Sequence, residues 1–303
     1  MPYNCVVLIK QVPDTKRITG QAMNDDGTVN RGALPAVFNP EDLNALELAL
    51  RIKDQFGGHV TAVTMGLPAA GGILREALYR GADDAVLITD RRCAASDTLA
   101  TSYILSCAVK KIEHDIVLCG RQAIDGDTAQ VGPQLAEKLG IGQITYVREI
   151  LALKGSKITA RRTIGNGWQE VRAKLPVLIT VTAEANEPRV AAARKMMKYK
   201  KARSKAEIEI ALNESGTNES QSRLKKLAKK ETKALAEKEL LIKQWDLDYL
   251  DADLTFCGRD GSPTKVHRIQ NVVLTAQESV QVEPTESGIA EMVHGLIEDH
   301  TIG

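Results

Sequence analysis

No uninterrupted apolar run in this chain approaches the ~20 residues that a membrane-spanning helix needs, so no span is expected. Met1-Pro2-Tyr3-Asn4 leads directly into a strand-like run and lacks the form of a signal peptide, which makes the cytoplasm the expected location. An excess of charge of one sign is missing too. The 40 Lys and Arg stand against 39 Asp and Glu, and a formal net charge of +1 gives no global drive toward nucleic acid or anionic lipid. Cysteine is scarce and scattered: Cys5, Cys93, Cys107, Cys119 and Cys257 are odd in number and form no CxxC pair, which argues against a disulfide framework and against zinc or iron–sulfur ligation. They read as core thiols.

The signatures of self-contained catalysis are absent as well. There is no GxxxxGK[ST] phosphate loop and no GxSxG nucleophile elbow, and Gly165-Asn166-Gly167-Trp168-Gln169-Glu170 is an incomplete GxGxxG among strand-like segments. The histidines at 59, 114, 267, 294 and 300 show no metal-ligand spacing and none sits beside an evident nucleophile. Asp125 and Asp127 could hold a divalent cation or act as an acid–base pair, but aspartates flanking a glycine more often form a turn. Chemistry on this chain would therefore belong to a bound cofactor.

What is present is enough for a full core: 303 residues, 43% hydrophobic and 26% charged. The first two hundred residues alternate strand and helix. Cys5 to Ile9, His59 to Met65, Ala85 to Thr89 and Asp115 to Cys119 read as buried strands. Between them, Asn39 caps a helix with Pro40 in its first position and Glu41 and Asp42 at its positive end, running to Gly57-Gly58. Ile73 to Tyr79 forms the next helix, and Asp97 caps another that continues to Lys110. The pattern implies an α/β fold with a doubly wound, mainly parallel, Rossmann-like sheet, whose ligands sit beyond the carboxyl ends of the strands.

The most informative stretch lies at that rim. Gly120, Arg121, Gln122, Ala123, Ile124, Asp125, Gly126, Asp127, Thr128, Ala129, Gln130 and Val131 form a polar, glycine-bearing turn between a buried strand and a helix. Pro133 belongs in a helix's first turn, so the helix is expected to start near Val131 and to leave Asp125 to Gln130 as an open loop whose backbone N–H groups are free to bind a ligand. Lys10 to Asp14 and Met65 to Pro68 reach the same rim. Asp97-Thr98-Leu99-Ala100-Thr101-Ser102 reads either as a well-capped helix or as a phosphate-binding helix start.

These residues carry a resemblance. Lys10-Gln11-Val12-Pro13-Asp14, Asn39-Pro40, the run Gly120 to Pro133, Leu175-Pro176-Val177-Leu178-Ile179-Thr180, Asn186-Glu187-Pro188-Arg189 and Gly258-Arg259-Asp260-Gly261-Ser262-Pro263-Thr264 resemble, in order, the β subunit of an electron transfer flavoprotein. The resemblance implies a heterodimer with an α subunit that carries an electron-shuttling FAD, while the β subunit holds either AMP or a second FAD. Asp97 to Ser102 and Gly261 to Thr264 are similar to the flavin-bifurcating type, which favours FAD. On that reading the adenosine lies against Leu8, Asn39, Pro40, Asp42, Met65 and the loop Gly120 to Val131, and the diphosphate against Asp97, Thr98 and Thr101. It further implies electron flow from NADH or a dehydrogenase to the α-subunit FAD and to a ferredoxin- or quinone-side acceptor. A partner dehydrogenase or oxidoreductase would dock near Asn186 to Lys198, where Ala193 stands in place of the leucine that anchors docking in mitochondrial-type members.

Two regions depart from the pattern. Residues 202–243 read as a charged helical insertion after a nucleotide domain of residues 1–201. It has a polar joint at Asn213 to Ser220, then a helix from Arg223 to Ile242, with eight Lys and Arg against four Asp and Glu between Glu219 and Lys243. Residues 244–303 read as a C-terminal arm whose last helix starts near Thr285 or Ser287. Its stripe of Ile289, Met292, Val293, Leu296 and Ile297 needs cover, from the α subunit or from the chain's own domain. Two rivals outside the family are a stand-alone adenine-nucleotide sensor and an adenylate-transferring enzyme.

Overall fold

The structure, a computed structural model, describes residues 1–14, 35–215, 220–264 and 282–298. The chain opens with β1 (Cys5–Leu8), a short antiparallel pair β2 (Gln11–Pro13) and β3 (Ala36–Phe38), and α1 (Pro40–Phe56). Then β4 (Val60–Met65), α2 (Gly71–Arg80), β5 (Asp84–Ile88), α3 (Thr98–Val109), β6 (Ile116–Gly120) and α4 (Val131–Leu139) alternate. β7 (Gly142–Lys154), β8 (Lys157–Ile164) and β9 (Gly167–Lys174) form an antiparallel extension, and β10 (Val177–Val181) returns to the centre. α5 (Ala193–Tyr199), α6 (Lys205–Glu214), α7 (Gln221–Glu237), β11 (Lys243–Trp245) and α8 (Glu286–Glu298) complete the order.

Among the described residues one nine-stranded sheet has the order β11-β5-β4-β1-β6-β10-β7-β8-β9. It is parallel from β11 through β10 to β7 and antiparallel beyond. Period-2 alternation assigns neighbouring side chains to opposite faces. Val7, Leu87, Leu118 and Ile179 pack with Leu46, Leu50 and Leu74 from α1 and α2. Val6, Val86, Val117 and Leu178 pack with Ile104, Leu105 and Leu135 from α3 and α4. A strand buried on both faces must be a continuous apolar run, and that run is what the sequence displays.

The chain moves outward from β1 through β4 to β5, then crosses back to β6 on the other side of β1. The direction of winding reverses between β1 and β6. At such a switch point the loops leaving the two strands diverge and open a crevice beyond the carboxyl ends.

The incomplete GxGxxG is the hairpin turn from β8 to β9, with Gly165 at φ 46°, and has no part in that crevice. Cys5, Cys119 and Cys257 are buried, Cys93 and Cys107 half-buried, and none of the five is in a disulfide.

The 202–243 region differs in detail from expectation. α6 covers 205–214, so helix replaces the first part of the predicted joint; residues 216–219 of that joint lie outside the described residues. The cause is a capping box: the Ser204 hydroxyl accepts from Glu207 N, and the Glu207 carboxylate accepts from Ser204 N. The following helix ends at Glu237 rather than Ile242. Glu239 turns to φ 55°, and Leu240 and Ile242 leave the helix to exchange main-chain bonds with Arg203. Burying Ile242 in the core outweighs one more helical turn.

The chain falls into two compact units, Met1–His267 and Arg268–Gly303, and residues 244–264 lie in the first, with β11 paired to β5 at the sheet edge. In the second unit α8 exposes Ile289, Met292, Val293 and Ile297.

Candidate functional site

α1 begins at Pro40 as expected, but the side chain of Asn39 does not cap it. Asn39 is fully buried, and its amide reaches across the crevice wall. Nδ2 donates to Gln122 O at 2.9 Å, and Oδ1 accepts from Ile124 N at 3.2 Å. The two acids beside it are likewise more than dipole partners. Glu41 Oε2 accepts from Gln122 N at 3.0 Å and Oε1 pairs with Arg121 at 2.9 Å. Asp42 Oδ1 accepts from Gly120 N and Oδ2 from Lys10 N, both at 2.8 Å. One helical turn thus ties the exit of β1 to the exit of β6.

Burial pushes the Asp42 carboxyl up to about 7, opposed by the N–H groups of Gly120 and Lys10 that favour its charged form. Burial also raises Glu41, against Gln122 N and Arg121. Truncating Asn39 would orphan Gln122 O and Ile124 N. We expect Asn39→Ala to cost about 2–4 kcal/mol and to lower the urea midpoint accordingly; an unchanged midpoint would show that the loop does not depend on this amide.

The open loop expected over Asp125 to Gln130 is shorter than read, because Gly126 N and Asp127 N are taken by Ala123 O. The first half of the Gly120–Val131 loop does not present free N–H groups: Gly120, Gln122 and Ile124 are held by α1, Arg121 N donates to Val181 O, and Gly126 N and Asp127 N donate to Ala123 O. The second half differs. Among the described residues no acceptor takes the N–H of Thr128, Ala129 or Gln130, and α4 has no side-chain cap. Asp127 and Ala129 adopt φ 50° and 52°, left-handed values that residues with a Cβ rarely take and that mark a shape maintained by its surroundings. Asp125 pairs with Lys10 at 2.7 Å and Asp127 accepts from Gln122 Nε2 at 2.8 Å, so both aspartates serve the loop. Among the described residues no cluster of His, Cys, Asp or Glu could hold a metal ion.

α4 starts at Val131, the position that Pro133 predicts. Its N-terminus meets that of α3, where Thr98 Oγ1 donates to Gln130 Oε1 at 2.9 Å and Gln134 Nε2 approaches Thr98 at 3.4 Å. Asp97 caps α3 through Ala100 N at 2.9 Å. Its other oxygen accepts from Thr264 N at 3.1 Å and from the Thr264 hydroxyl, while Asp97 N donates to the buried Ser262 hydroxyl at 2.9 Å. The two sequence motifs around Asp97 and Ser262 are therefore one structure. Burial opposes the Asp97 charge, but the bonds from Thr264 and Ala100 outweigh it and hold the carboxyl below its ordinary range.

A cleft of about 410 Å³ opens between these elements. Of the residues singled out from sequence, Leu8, Asp42, Met65, Asp97, Thr98, Thr101, Gly120 to Ala123 and Gly126 to Val131 line it. Asn39, Ile124 and Asp125 do not line it and instead shape or brace its wall, and Pro40 opens α1 outside it. Sequence reasoning missed Ile9, Val63, Ser96, Leu105, Cys119 and Gly132 as lining. Val63, Cys119 and Leu105 are ordinary core residues by pattern, and only the end of an element distinguishes a lining position from a core one. Gly132 had a signal: a Cβ there would stand 2.8 Å from Thr180 Cγ2 and 3.0 Å from Cys119 Sγ, so α4 can approach the sheet only with glycine.

The cleft offers an apolar floor, two helix N-termini and a row of unclaimed N–H groups, a combination that fits a nucleotide with an anionic tail. A larger groove of about 710 Å³ lies between α6 and α7, and lacks these features. No helix among the described residues is long and apolar enough to cross a membrane.

By fold and site the protein is a nucleotide-type α/β domain with its cleft at the winding switch point. Comparison with known proteins narrows this. The electron transfer flavoprotein domain family matches residues 26–214. The electron transfer flavoprotein subunit beta of Clostridium acetobutylicum is 39% identical over 299 residues, covering 99% of this chain and 100% of that protein. Protein FixA of Sinorhizobium fredii is 36% identical over 299 residues, 96% of this chain and 91% of its own. The acryloyl-CoA reductase electron transfer subunit gamma of Anaerotignum propionicum is 49% identical over 187 residues, 60% of this chain and 69% of its own. The chain belongs to the electron transfer flavoprotein family, as a β subunit.

Proposed function

We propose that this β subunit holds FAD, with the adenosine against the Gly120–Val131 loop and the diphosphate between the starts of α3 and α4. The observation that carries the reading is the meeting of those two N-termini at Thr98 and Gln130, beside the unclaimed N–H groups of Thr128 to Gln130. AMP would need only the adenosine half and one phosphate; a start of α3 clamped from 165 residues away is of use when the ligand extends further. Lys10, half-exposed at the cleft, adds a positive charge, shared with Asp125.

When bound, FAD would supply hydride acceptance and electron transfer, in a heterodimer with an α subunit that carries its own FAD. The chain's own residues bind and orient. Asn39, Glu41 and Asp42 fix the loop, Asp97 and Ser262 fix the start of α3, and Leu8, Val63, Met65 and Leu105 exclude water from the floor. Among the lining side chains none combines a nucleophile with a base, consistent with chemistry that resides in the cofactor. Relatives named as FixA and as the electron transfer subunit of acryloyl-CoA reductase support an exchange in which electrons from NADH or a dehydrogenase are divided between the α-subunit flavin and a ferredoxin- or quinone-side acceptor. Docking of a dehydrogenase would use the segment from Asn186 through α5, which is locked to α1 by Arg189 on Glu47 at 2.7 Å and by Asn44 on Asn186 O at 2.6 Å and leaves Met196 and Met197 exposed.

Denaturing the purified heterodimer and identifying the released nucleotides tests the proposal. Two FAD per heterodimer are expected; one FAD and one AMP would overturn it.

A further inference from the structure

α7 has five lysines, Lys225, Lys226, Lys229, Lys230 and Lys233, all exposed. At about 100° per residue they fall within an arc of about 140°. The other side of the helix is packed: Ala228 is buried, Leu224 and Leu235 are half-buried, and α6 lies along it, with Lys225 and Lys229 at the edge of the groove between the two helices. Lys225, Lys226, Lys229 and Lys230 have no ion-pair partner among the described residues, and Lys233 only approaches Glu237 at 3.9 Å. Lysines four apart repel, as in 225/229, 226/230 and 229/233, and each pair weakens the helix. A surface that needed only solubility would intersperse both signs. The arrangement costs stability and returns none within the chain.

The helix is presented rigidly. α6 is bolted to the nucleotide domain by Glu207 on Arg75 at 2.7 Å, by Ala206 N on Gln244 at 2.8 Å, and by buried Ser204 and Ile208. It also packs on the turn Pro68–Ala70, which directly follows Met65 of the cleft. α6 thus meets the chain just past the end of β4, and α7 packs on α6.

We propose that the lysine face of α7 docks a soluble redox protein through a carboxylate-rich surface, a role that rests on the electron-exchange reading of the nucleotide cleft. Charge complementarity identifies this occupant. The apolar side of α7 is spent on α6, so the helix has little to insert into lipid beyond Leu227. The cations of the arc are all lysine, with Glu237 the one acid among them, and the chain's net charge of +1 lacks the broad basic footprint of a nucleic-acid binder. Lysines on flexible stems suit a brief, salt-sensitive encounter that must release its partner after each exchange.

The test uses the intact heterodimer and a fluorescently labelled ferredoxin of strongly negative net charge, with binding read by anisotropy across a salt series. The variant combines Lys225→Glu, Lys229→Glu and Lys230→Glu, all exposed positions outside the cleft. We expect affinity for the wild type to fall steeply with salt, and the variant to bind at least about tenfold more weakly at low salt with a flattened slope. Flavin content and the rate of reduction by NADH should be unchanged. Equal affinity and equal salt dependence in the two proteins would overturn the proposal. So would retained ferredoxin binding in a variant that instead loses binding to DNA or to anionic phosphatidylserine vesicles. Anisotropy does not depend on which nucleotide the β subunit holds, so release of AMP would refute the cofactor reading without deciding this one.

Discussion

Gly120→Ala should unfold the cleft. A Cβ at 120 would stand 2.7 Å from Asp42 Oδ1 and 2.8 Å from the Glu41 carbonyl carbon, and neither can retreat. The Glu41 atom is main chain in the first turn of α1, and the Asp42 oxygen is the acceptor for Gly120 N itself. Relief requires α1 to move off β6, which breaks the bonds to Lys10 N and Gln122 N together. Overpacking plus orphaned buried donors costs about 3–5 kcal/mol. The expected result is a large drop in the unfolding midpoint and a protein purified without nucleotide. Gly126→Ala is the control: a Cβ there meets nothing within 4 Å, and stability should stay within about 0.5 kcal/mol. Equal behaviour of the two variants would show that the approach of α1 to β6 is not a constraint.

Asp97→Ala should separate the two halves of the cleft. The mutation removes the cap on Ala100 N and both bonds to Thr264, so the start of α3 loses its tie to the Gly258–Thr264 segment. Loss of cap and clamp costs about 2 kcal/mol of stability. On the proposed FAD reading the effect on the cofactor is larger, because a displaced helix start would forfeit charge-assisted bonds to the diphosphate, and FAD affinity should fall about 100-fold. Asp97→Asn sharpens the result. Asparagine caps as well as aspartate, but its amide would face the N–H of Thr264, so helix stability should hold while flavin content drops. Absorbance of bound flavin against thermal unfolding reads both. Full flavin in Asp97→Ala would remove the start of α3 from the cofactor site.

The sheet was legible because its strands are buried on both faces. Val6-Val7, Val117-Leu118 and Leu178-Ile179 must be apolar at consecutive positions, which makes them stand out from any solvated strand. The helix starts at Pro40, Thr98 and Val131 were legible from Pro40, Asp97 and Pro133, whose signals are local. The helix at 205–214 carried its own signal in Ser204-Lys205-Ala206-Glu207, and the reading of 213–220 as a joint passed over it. What could not be read was the use made of a polar group once the chain closed. Asn39, Glu41 and Asp42 have the composition of a helix start, and a helix start is satisfied equally well by its own first turn or by a loop 80 residues away.

The sequence by itself determined the α/β alternation, the rim where the loops collect and the family to which the chain belongs, because each depends on residues close together along the chain. Only the tertiary structure decided which N–H groups of the loop are taken by the fold and which are not. Asn39 and the first turn of α1 claim those of Gly120, Gln122 and Ile124, and among the described residues those of Thr128 to Gln130 have no acceptor. Tertiary structure also joined Asp97 to Ser262 and Thr264. A buried polar group must find a partner somewhere in the fold, and where that partner lies is a property of the folded arrangement, which the order of residues does not state.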